Sequence, residues 1–379
     1  MVFNPEIDVP RKEVLVFADW YLPGHKGGGP IRSIANMISH LDGHLAFSVI
    51  TRNTDYCDSE PYENISPDEW IDLEGGNQAF YFSKKRLGFK GIKKLLIERP
   101  DTDVYLNSMF SWYFTIIPLI ILRRQKGRKV ILAPRGMLSP GSFGVKKKKK
   151  SIFLFFASLA GIYKNVFFQA TSEGEIKDIT AHGLSKNPPI YAPNLAEKNI
   201  RFRQCDYSKE AGKVNLVSIA RIAPEKNLLY ALKVINKVKG NVEFDIYGSI
   251  YDQDYWAQCK KLIETMPVNI AVKYHGDLAV DSIGEVLESS HFLFMPTTGE
   301  NFGHIILQSL IASCPPIISD KTPWNKLNAS SAGFSIPLDD QSSWIETVET
   351  CIAMGDEQYK QMARQAGNMA QAYINDPTP

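Results

Sequence analysis

The sequence predicts two doubly wound α/β domains, on three observations. Short apolar runs alternate with helical patterns through most of the 379 residues. The runs are apolar at successive positions, as parallel strands covered by helices on both faces require. A polar stretch of weak periodicity, roughly residues 194–212, interrupts the alternation once, and the pattern then restarts.

In the first half, strands are expected at Val14–Ala18, Phe47–Thr51, Phe80–Phe82, Val104–Leu106, Val130–Ala133 and Val166–Gln169. Helical patterns intervene, among them Ile31–Leu41, Phe114–Arg124 and Glu173–Ala181. In the second half the strands are Val214–Ala220, Phe244–Tyr247, Val272–Tyr274, Phe292–Met295 and Ile317–Ser319, with helices such as Leu228–Val238 and Phe302–Ala312 between them. The domain boundaries are therefore set at 1–195 and 196–355, with a linker near residue 200. A terminal helix at about residues 356–375 is a candidate to pack back onto the first domain.

A composition of 44% hydrophobic and 22% charged residues is ordinary for a chain that buries substantial cores, and a net charge of +2 gives no case for a nucleic-acid partner. Cys57, Cys205, Cys259, Cys314 and Cys351 are scattered, odd in number and without metal-ligand spacing, so reduced thiols in a cytosol are expected. The first apolar run, Val14–Phe17, is only strand-length, which does not fit a signal peptide. The longest, Tyr113–Leu122, contains Pro118 and falls well short of the roughly 20 residues a spanning helix needs. The expected location is the cytoplasm, with the inner face of the plasma membrane as a peripheral option.

Three strand-to-helix segments carry the candidate chemistry, because ligands of such sheets bind beyond the carboxyl ends of the strands. The first is Pro296-Thr-Thr-Gly-Glu300-Asn301-Phe302-Gly303-His304, ahead of an apolar helix. A helix start offers unpaired N–H groups and a dipole that favours an anion, and Gly299 and Gly303 let a ligand reach the backbone. Glu300 would place a carboxylate beside sugar hydroxyls, although an acidic residue there could equally well complement the dipole. The second is Arg221-Ile-Ala-Pro-Glu-Lys226-Asn227, where Lys226 opens a helix whose dipole opposes it. An Arg fork with a Lys point charge suits a diphosphate; two solvated cations are the plain alternative. The third is Gly24-His25-Lys26-Gly27-Gly28-Gly29-Pro30 after the first strand, a flexible loop feeding a helix and able to bring N–H groups to phosphate. It is neither a Walker sequence nor G-x-G-x-x-G, so ATP and dinucleotides gain no support.

Taken in order, these segments resemble the family 4, or group 1, glycosyltransferases. The resemblance rests on Gly27–Gly29, Ala133-Pro-Arg135-Gly136-Met137-Leu138, Arg221 with Lys226, Glu300-Asn-Phe-Gly, and Ser319-Asp-Lys-Thr-Pro323-Trp324. It implies the GT-B fold, two Rossmann-like domains with parallel sheets facing across a cleft, and a transfer that retains anomeric configuration with no protein nucleophile. It implies that Arg221 and Lys226 grip the donor diphosphate and that Glu300 bonds the donor sugar. Asn301, Phe302, Gly303 and His304 would offer amides to sugar and phosphate, and Gly27, Gly28 and Gly29 would close over the phosphates. Two positions depart from the family pattern. Gln308 stands where a second glutamate usually bonds the ribose, and Leu106-Asn107-Ser108-Met109 lacks a histidine that many relatives carry. Asn107, Ser108 and Arg135 remain as candidates on the acceptor side.

The resulting expectation is a metal-independent enzyme without cofactor. It would move a hexose or hexosamine from a nucleoside-diphosphate sugar to a hydroxyl of a glycan, lipid-linked and destined for a bacterial surface polysaccharide. A sugar-nucleotide epimerase and a catalytically silent binding subunit are the rival readings. Asp101-Thr-Asp103 and Asp252-Gln-Asp254 spell D-x-D, but the first precedes a strand and the second reads as a helix start, so neither is expected to hold metal. His182-Gly183 reads as a helix end. The run Lys146, Lys147, Lys148, Lys149, Lys150 leads into Ser151-Ile-Phe-Leu-Phe-Phe-Ala. It is either a solvated cluster before a buried helix or a contact for an anionic membrane.

Overall fold

The computed structural model of the chain describes residues 11–123, 125, 127–139, 147–198, 200–202 and 207–375. It divides into two compact units, Met1–Met137 with Lys147–Leu195, and Leu138–Lys146 with Ala196–Pro379.

The first unit runs β1 (Lys12–Phe17), α1 (Gly29–Leu41), β2 (Leu45–Arg52), β3 (Trp70–Asp72), β4 (Gln78–Phe82), α2 (Phe89–Glu98) and β5 (Asp103–Leu106). A π-helical turn, Trp112–Ile116, then leads into α3 (Ile117–Leu122), β6 (Val130–Leu132), α4 (Lys147–Leu159), β7 (Phe167–Ala170), α5 (Glu173–His182) and β8 (Ile190–Tyr191). The sheet order is β3-β4-β2-β1-β5-β6-β7-β8, parallel throughout except for the β3–β4 pair. Leu15, Val16 and Phe17 are wholly buried at its centre. The sequence pattern misses β3 and β8, edge strands of three and two residues that are too short for any period to show.

The second unit runs β9 (Lys213–Ile219), α6 (Leu228–Ile235), β10 (Asn241–Tyr247), α7 (Gln253–Ile263), β11 (Ile270–Tyr274), α8 (Ile283–Glu288) and β12 (Phe292–Met295). It continues with α9 (His304–Ile311), β13 (Pro316–Ser319), α10 (Leu327–Ser330), β14 (Phe334–Ile336), α11 (Gln341–Ala353) and α12 (Asp356–Asn375). All its pairings are parallel, in the order β11-β10-β9-β12-β13-β14. Alternation across the pleat divides β12 between two cores, Phe292 and Phe294 on one face and Leu293 and Met295 on the other. Both faces of β12 are covered, which is why it reads as an unbroken apolar run.

Helix α12 packs on the second unit. Tyr359 and Ala363 enter one core, and Ala366 and Ala370 the other. The small residues at i, i+3 and i+7 let the helix lie close against the unit. Lys209 is buried nearby, its ammonium donating to the carbonyls of Ile352 (3.4 Å) and Met354 (2.7 Å) at the end of α11. A cation there complements the dipole's negative end.

Three minor sequence features serve local structure. The Asp252 side chain accepts from Tyr255 N–H at 2.9 Å and caps α7, and Asp103, at the N-terminal end of β5, pairs with Lys12 at 2.6 Å. Gly183 caps α5 in the left-handed region (φ 56°), with His182 in the last turn. Correcting the expectation of a buried helix after the lysine run, α4 leaves Ile152, Phe155, Phe156 and Leu159 exposed. Lys146 lies outside the described residues.

Candidate active site

In the second unit the loops after β9 and β12 lie against each other beyond the strands' carboxyl ends. Thr298 N–H donates to Glu225 O at 2.9 Å, and the Asn227 amide donates to Pro296 O at 3.0 Å. These bonds bring Lys226 to Glu300, and the two form an ion pair with both side chains mostly buried. Arg221, just past β9, meets Glu225 at 3.3 Å and lies over the Tyr251 ring at 5.3 Å.

Lys226 does not open α6, as the sequence suggested. It closes a 3-10 turn, Pro224–Lys226, and Asn227 at φ 61° separates that turn from α6. The left-handed residue redirects the chain, so Lys226 projects across to the neighbouring loop instead of along the helix. Asn tolerates that conformation better than most residues. Another feature invisible to motif reading is Gly248, after β10: a Cβ there would lie 2.0 Å from Ala220 O. Only glycine allows this exit loop to press against the backbone that leads into Arg221.

Helix α9 begins at His304, two residues later than its apolar pattern suggests, because Gly303 caps it in the left-handed region (φ 79°). Glu300 N–H donates to Lys321 O at 3.1 Å, and the Trp324 indole donates to Phe302 O at 2.6 Å. Phe302 is buried against Trp324 and Tyr373, whereas a Cβ on Gly299 would meet open space. Asn301 and His304 flank Phe302 at the loop's exit, and Gln308 is half-buried one turn into the helix. Apolar anchoring at Phe302 fixes this loop, and the space beside Gly299 is open.

The first unit has its own loop cluster beyond β1, β2, β5 and β6. Gly28 (φ 69°) precedes α1, whose first turn contains Pro30. The buried Asp55 carboxylate accepts from the N–H groups of His25 (2.8 Å), Lys26 (3.1 Å) and Tyr56 (2.7 Å). Lys26 also pairs with Asp58 at 2.9 Å. A Cβ on Gly24 would fall 2.2 Å from the Tyr62 hydroxyl, so the loop and residues 55–62 fit only through glycine.

Asn107 and Arg135, expected toward an acceptor, are engaged with each other and with the frame. Arg135 donates to Asn107 (2.7 Å), to Asn194 and to the Tyr105 hydroxyl (2.8 Å), while the Asn107 amide donates to Pro30 O at 3.2 Å. Glu175, also buried, accepts from Gly136 N–H at 2.6 Å and from Thr171 N–H at 2.8 Å. Arg135 at φ 55° and Gly136 at φ 74° are thereby held in an otherwise strained turn. Ser108 is buried, its hydroxyl 3.7 Å from the Met137 sulfur. Asn107 thus braces the start of α1 through Pro30, and Arg135 holds Asn107 in place.

Residues 203–369 match the family described as glycosyl transferases group 1. The match lies within the second unit and spans less than half of the chain. No curated protein sequence matches the chain. Among solved structures it resembles Anabaena Alr3699/HepE in complex with UDP and glucose, at 14% identity and a TM-score of 0.70, covering 97% of this chain and 96% of that one. It also resembles WaaG, a glycosyltransferase involved in lipopolysaccharide biosynthesis, at 13% identity, TM-score 0.67 and 95% coverage of each chain. Sucrose-phosphate synthase from Thermosynechococcus elongatus is similar too, at 14% identity and TM-score 0.66, covering 96% of this chain and 95% of that one. At such identity these likenesses show the fold, which is GT-B.

The residue that sequence reasoning missed most clearly is Asp55. Its one signal was its place just past the carboxyl end of β2. Asp55→Ala removes a buried acceptor of three backbone N–H groups. Bonds to a charged group are each worth roughly 1.5–3 kcal/mol, and water replaces part of that, so a loss of about 2 kcal/mol in urea unfolding is expected. Faster limited proteolysis between Gly24 and Gly29 should accompany it. A variant as stable as the parent, with an unchanged cleavage pattern, would show that the loop holds its shape without Asp55.

Proposed function

We propose that this protein is a group 1 glycosyltransferase that transfers a hexose or hexosamine from a nucleoside-diphosphate sugar, with retention of configuration, to a hydroxyl of a lipid-linked glycan. The acceptor class assigned is a precursor of a bacterial surface polysaccharide, assembled at the cytoplasmic face of the membrane. The observation that carries the reading is the Lys226–Glu300 pair, held between two strand–helix loops with Arg221 on the same edge of the sheet. A cationic pair suits the departing diphosphate, and a carboxylate suits sugar hydroxyls. HepE has been captured with UDP-glucose, which supports a nucleotide-sugar donor here. WaaG's role in lipopolysaccharide biosynthesis supports the acceptor class.

In this mechanism Arg221 and Lys226 stabilise the charge that builds on the β-phosphate as the C1–oxygen bond to it breaks. Glu300 accepts from the sugar's hydroxyls and holds C1 toward the incoming group. The acceptor oxygen bonds to C1 on the face the diphosphate leaves, and its proton passes to a departing phosphate oxygen. Amides at Asn301–His304 complete the grip on sugar and phosphate, and Gln308 bonds the ribose.

A thermal-shift panel of UDP-, GDP-, ADP- and TDP-sugars tests the reading, because a ligand that binds only the folded state raises its apparent stability. One nucleotide class should stand out. Arg221→Ala should then lower turnover at least about tenfold. Activity should survive EDTA, since the charge on the leaving group is met by Arg221 and Lys226. No shift with any donor, or activity lost to EDTA and restored by magnesium or manganese, would overturn the assignment.

A further inference from the structure

Helix α4 contains no acidic residue and is apolar on two opposite sides. Leu154 and Ala157 are buried against the first unit, and Phe153 meets Phe110 edge-on at 5.8 Å. On the opposite side Ile152, Phe155, Phe156 and Leu159 recur at i, i+3, i+4 and i+7 and are between 59% and 78% exposed. That spacing gathers all four onto one stripe. Lys148, one turn before Ile152 and so in line with the stripe, and Lys149 beside it are both exposed at its N-terminal end. The Phe110–Phe153 contact also brings alongside the segment that carries Trp112, itself 58% exposed.

Four large exposed apolar side chains in one row form a contiguous apolar patch, the kind of surface that marks an interaction site. We propose that this face docks on an anionic lipid bilayer, with Ile152, Phe155, Phe156 and Leu159 at the acyl boundary and Lys148 and Lys149 on the headgroup phosphates. Charge complementarity selects this occupant: basic residues at one end and no carboxylate along the helix suit a negative, apolar-backed surface. The helix has 13 residues, about 20 Å at 1.5 Å each, and so is too short to span the bilayer. No described helix is long and apolar enough to cross a membrane. A second copy of the chain fits less well, because its α4 offers the lysines no carboxylate.

The inference does not depend on the acceptor proposed above, and it changes what the lysine run is expected to do. Lysines alone would give binding that salt abolishes; with an apolar stripe beside them, salt weakens the binding and does not remove it. The test is sedimentation of the full chain with vesicles of phosphatidylcholine, with and without phosphatidylglycerol. The parent should prefer the anionic vesicles and stay partly bound at high salt. Phe155→Ser with Phe156→Ser should weaken binding at least about tenfold, from the apolar area lost. Lys148→Gln with Lys149→Gln should weaken it at least about fivefold and blunt the lipid preference. Both variants should melt like the parent, since the altered side chains are exposed. A double-Phe variant that sediments like the parent overturns the proposal. So does a parent that ignores vesicles, or one that is a dimer in solution and becomes a monomer on losing the two phenylalanines.

Discussion

Replacing Glu300 by alanine should lower sugar transfer by at least about a hundredfold while leaving the affinity for free nucleoside diphosphate unchanged or tighter. The pairing with Lys226 gives the reason. Glu300 neutralises the cation proposed to receive the diphosphate, so nucleotide binding must loosen that contact and release the carboxylate. Glu300→Ala removes a competitor for Lys226 together with the acceptor for the sugar's hydroxyls. Groups that stabilise a transition state in a closed site are commonly worth 100- to 1000-fold each. Lys226→Ala should behave in the opposite way, weakening nucleotide binding at least about tenfold along with transfer. Isothermal titration with the diphosphate and a transfer assay on both variants separate the roles. If Glu300→Ala loses nucleotide affinity as steeply as activity, Glu300 acts on the nucleotide and the proposed division of labour fails.

The second large effect concerns pH and lies away from the site. His291, just before β12, is 4% exposed between the rings of Tyr207 and Tyr359. Its Nδ1 accepts from Asn215 N–H at 2.8 Å, and its Nε2 faces Ser208 O at 3.3 Å, which defines a neutral ring protonated at Nε2. A second proton would set Nδ1–H against the Asn215 donor. Burial pushes its pKa down to about 4; the Ser208 carbonyl and Glu243 oppose that shift, and Lys209 and Lys213 add to it.

Above about pH 6.5 the ring is neutral in both folded and unfolded chains, and its contribution to stability is fully present. As pH falls from there toward 4, the unfolded chain binds a proton that the folded chain refuses, so stability drops. The loss reaches about 2 kcal/mol near pH 5. Urea unfolding of the parent and of His291→Gln at about pH 7.5 and about pH 5 isolates this group, because the other titrations cancel between them. The parent should lose the extra stability and the variant should not. Equal losses would mean that the ring already takes up its proton in the folded chain.

The strand positions and the two-sheet division were legible because they rest on local periodicity. Val14–Phe17 of β1, Phe292–Met295 of β12 and Pro316–Ile318 of β13 are apolar at successive positions, a pattern that strands covered on both faces explain. The loops bearing Arg221, Lys226, Glu300 and Gly27–Gly29 were legible too, because parallel sheets put ligands where strands hand over to helices. By itself, the sequence determined a doubly wound α/β chain, its candidate anion-binding loops, and the presence of five consecutive lysines before an apolar segment.

The tertiary structure alone decided which groups meet. Lys226 reaches Glu300 only because Asn227 turns left-handed and bonds to Pro296 O across two strands. Asp55 organises the Gly24–Gly29 loop from thirty residues away, and Asn107, held by Arg135, bonds Pro30 at the start of α1 from just past β5. Helix α12 lies on the second unit because small residues there fit its two cores, and both faces of α4 are apolar while only one is covered. Periodicity reports the tendency of a residue to be buried; which partner buries it, or leaves it in water, depends on contacts between segments far apart in the chain.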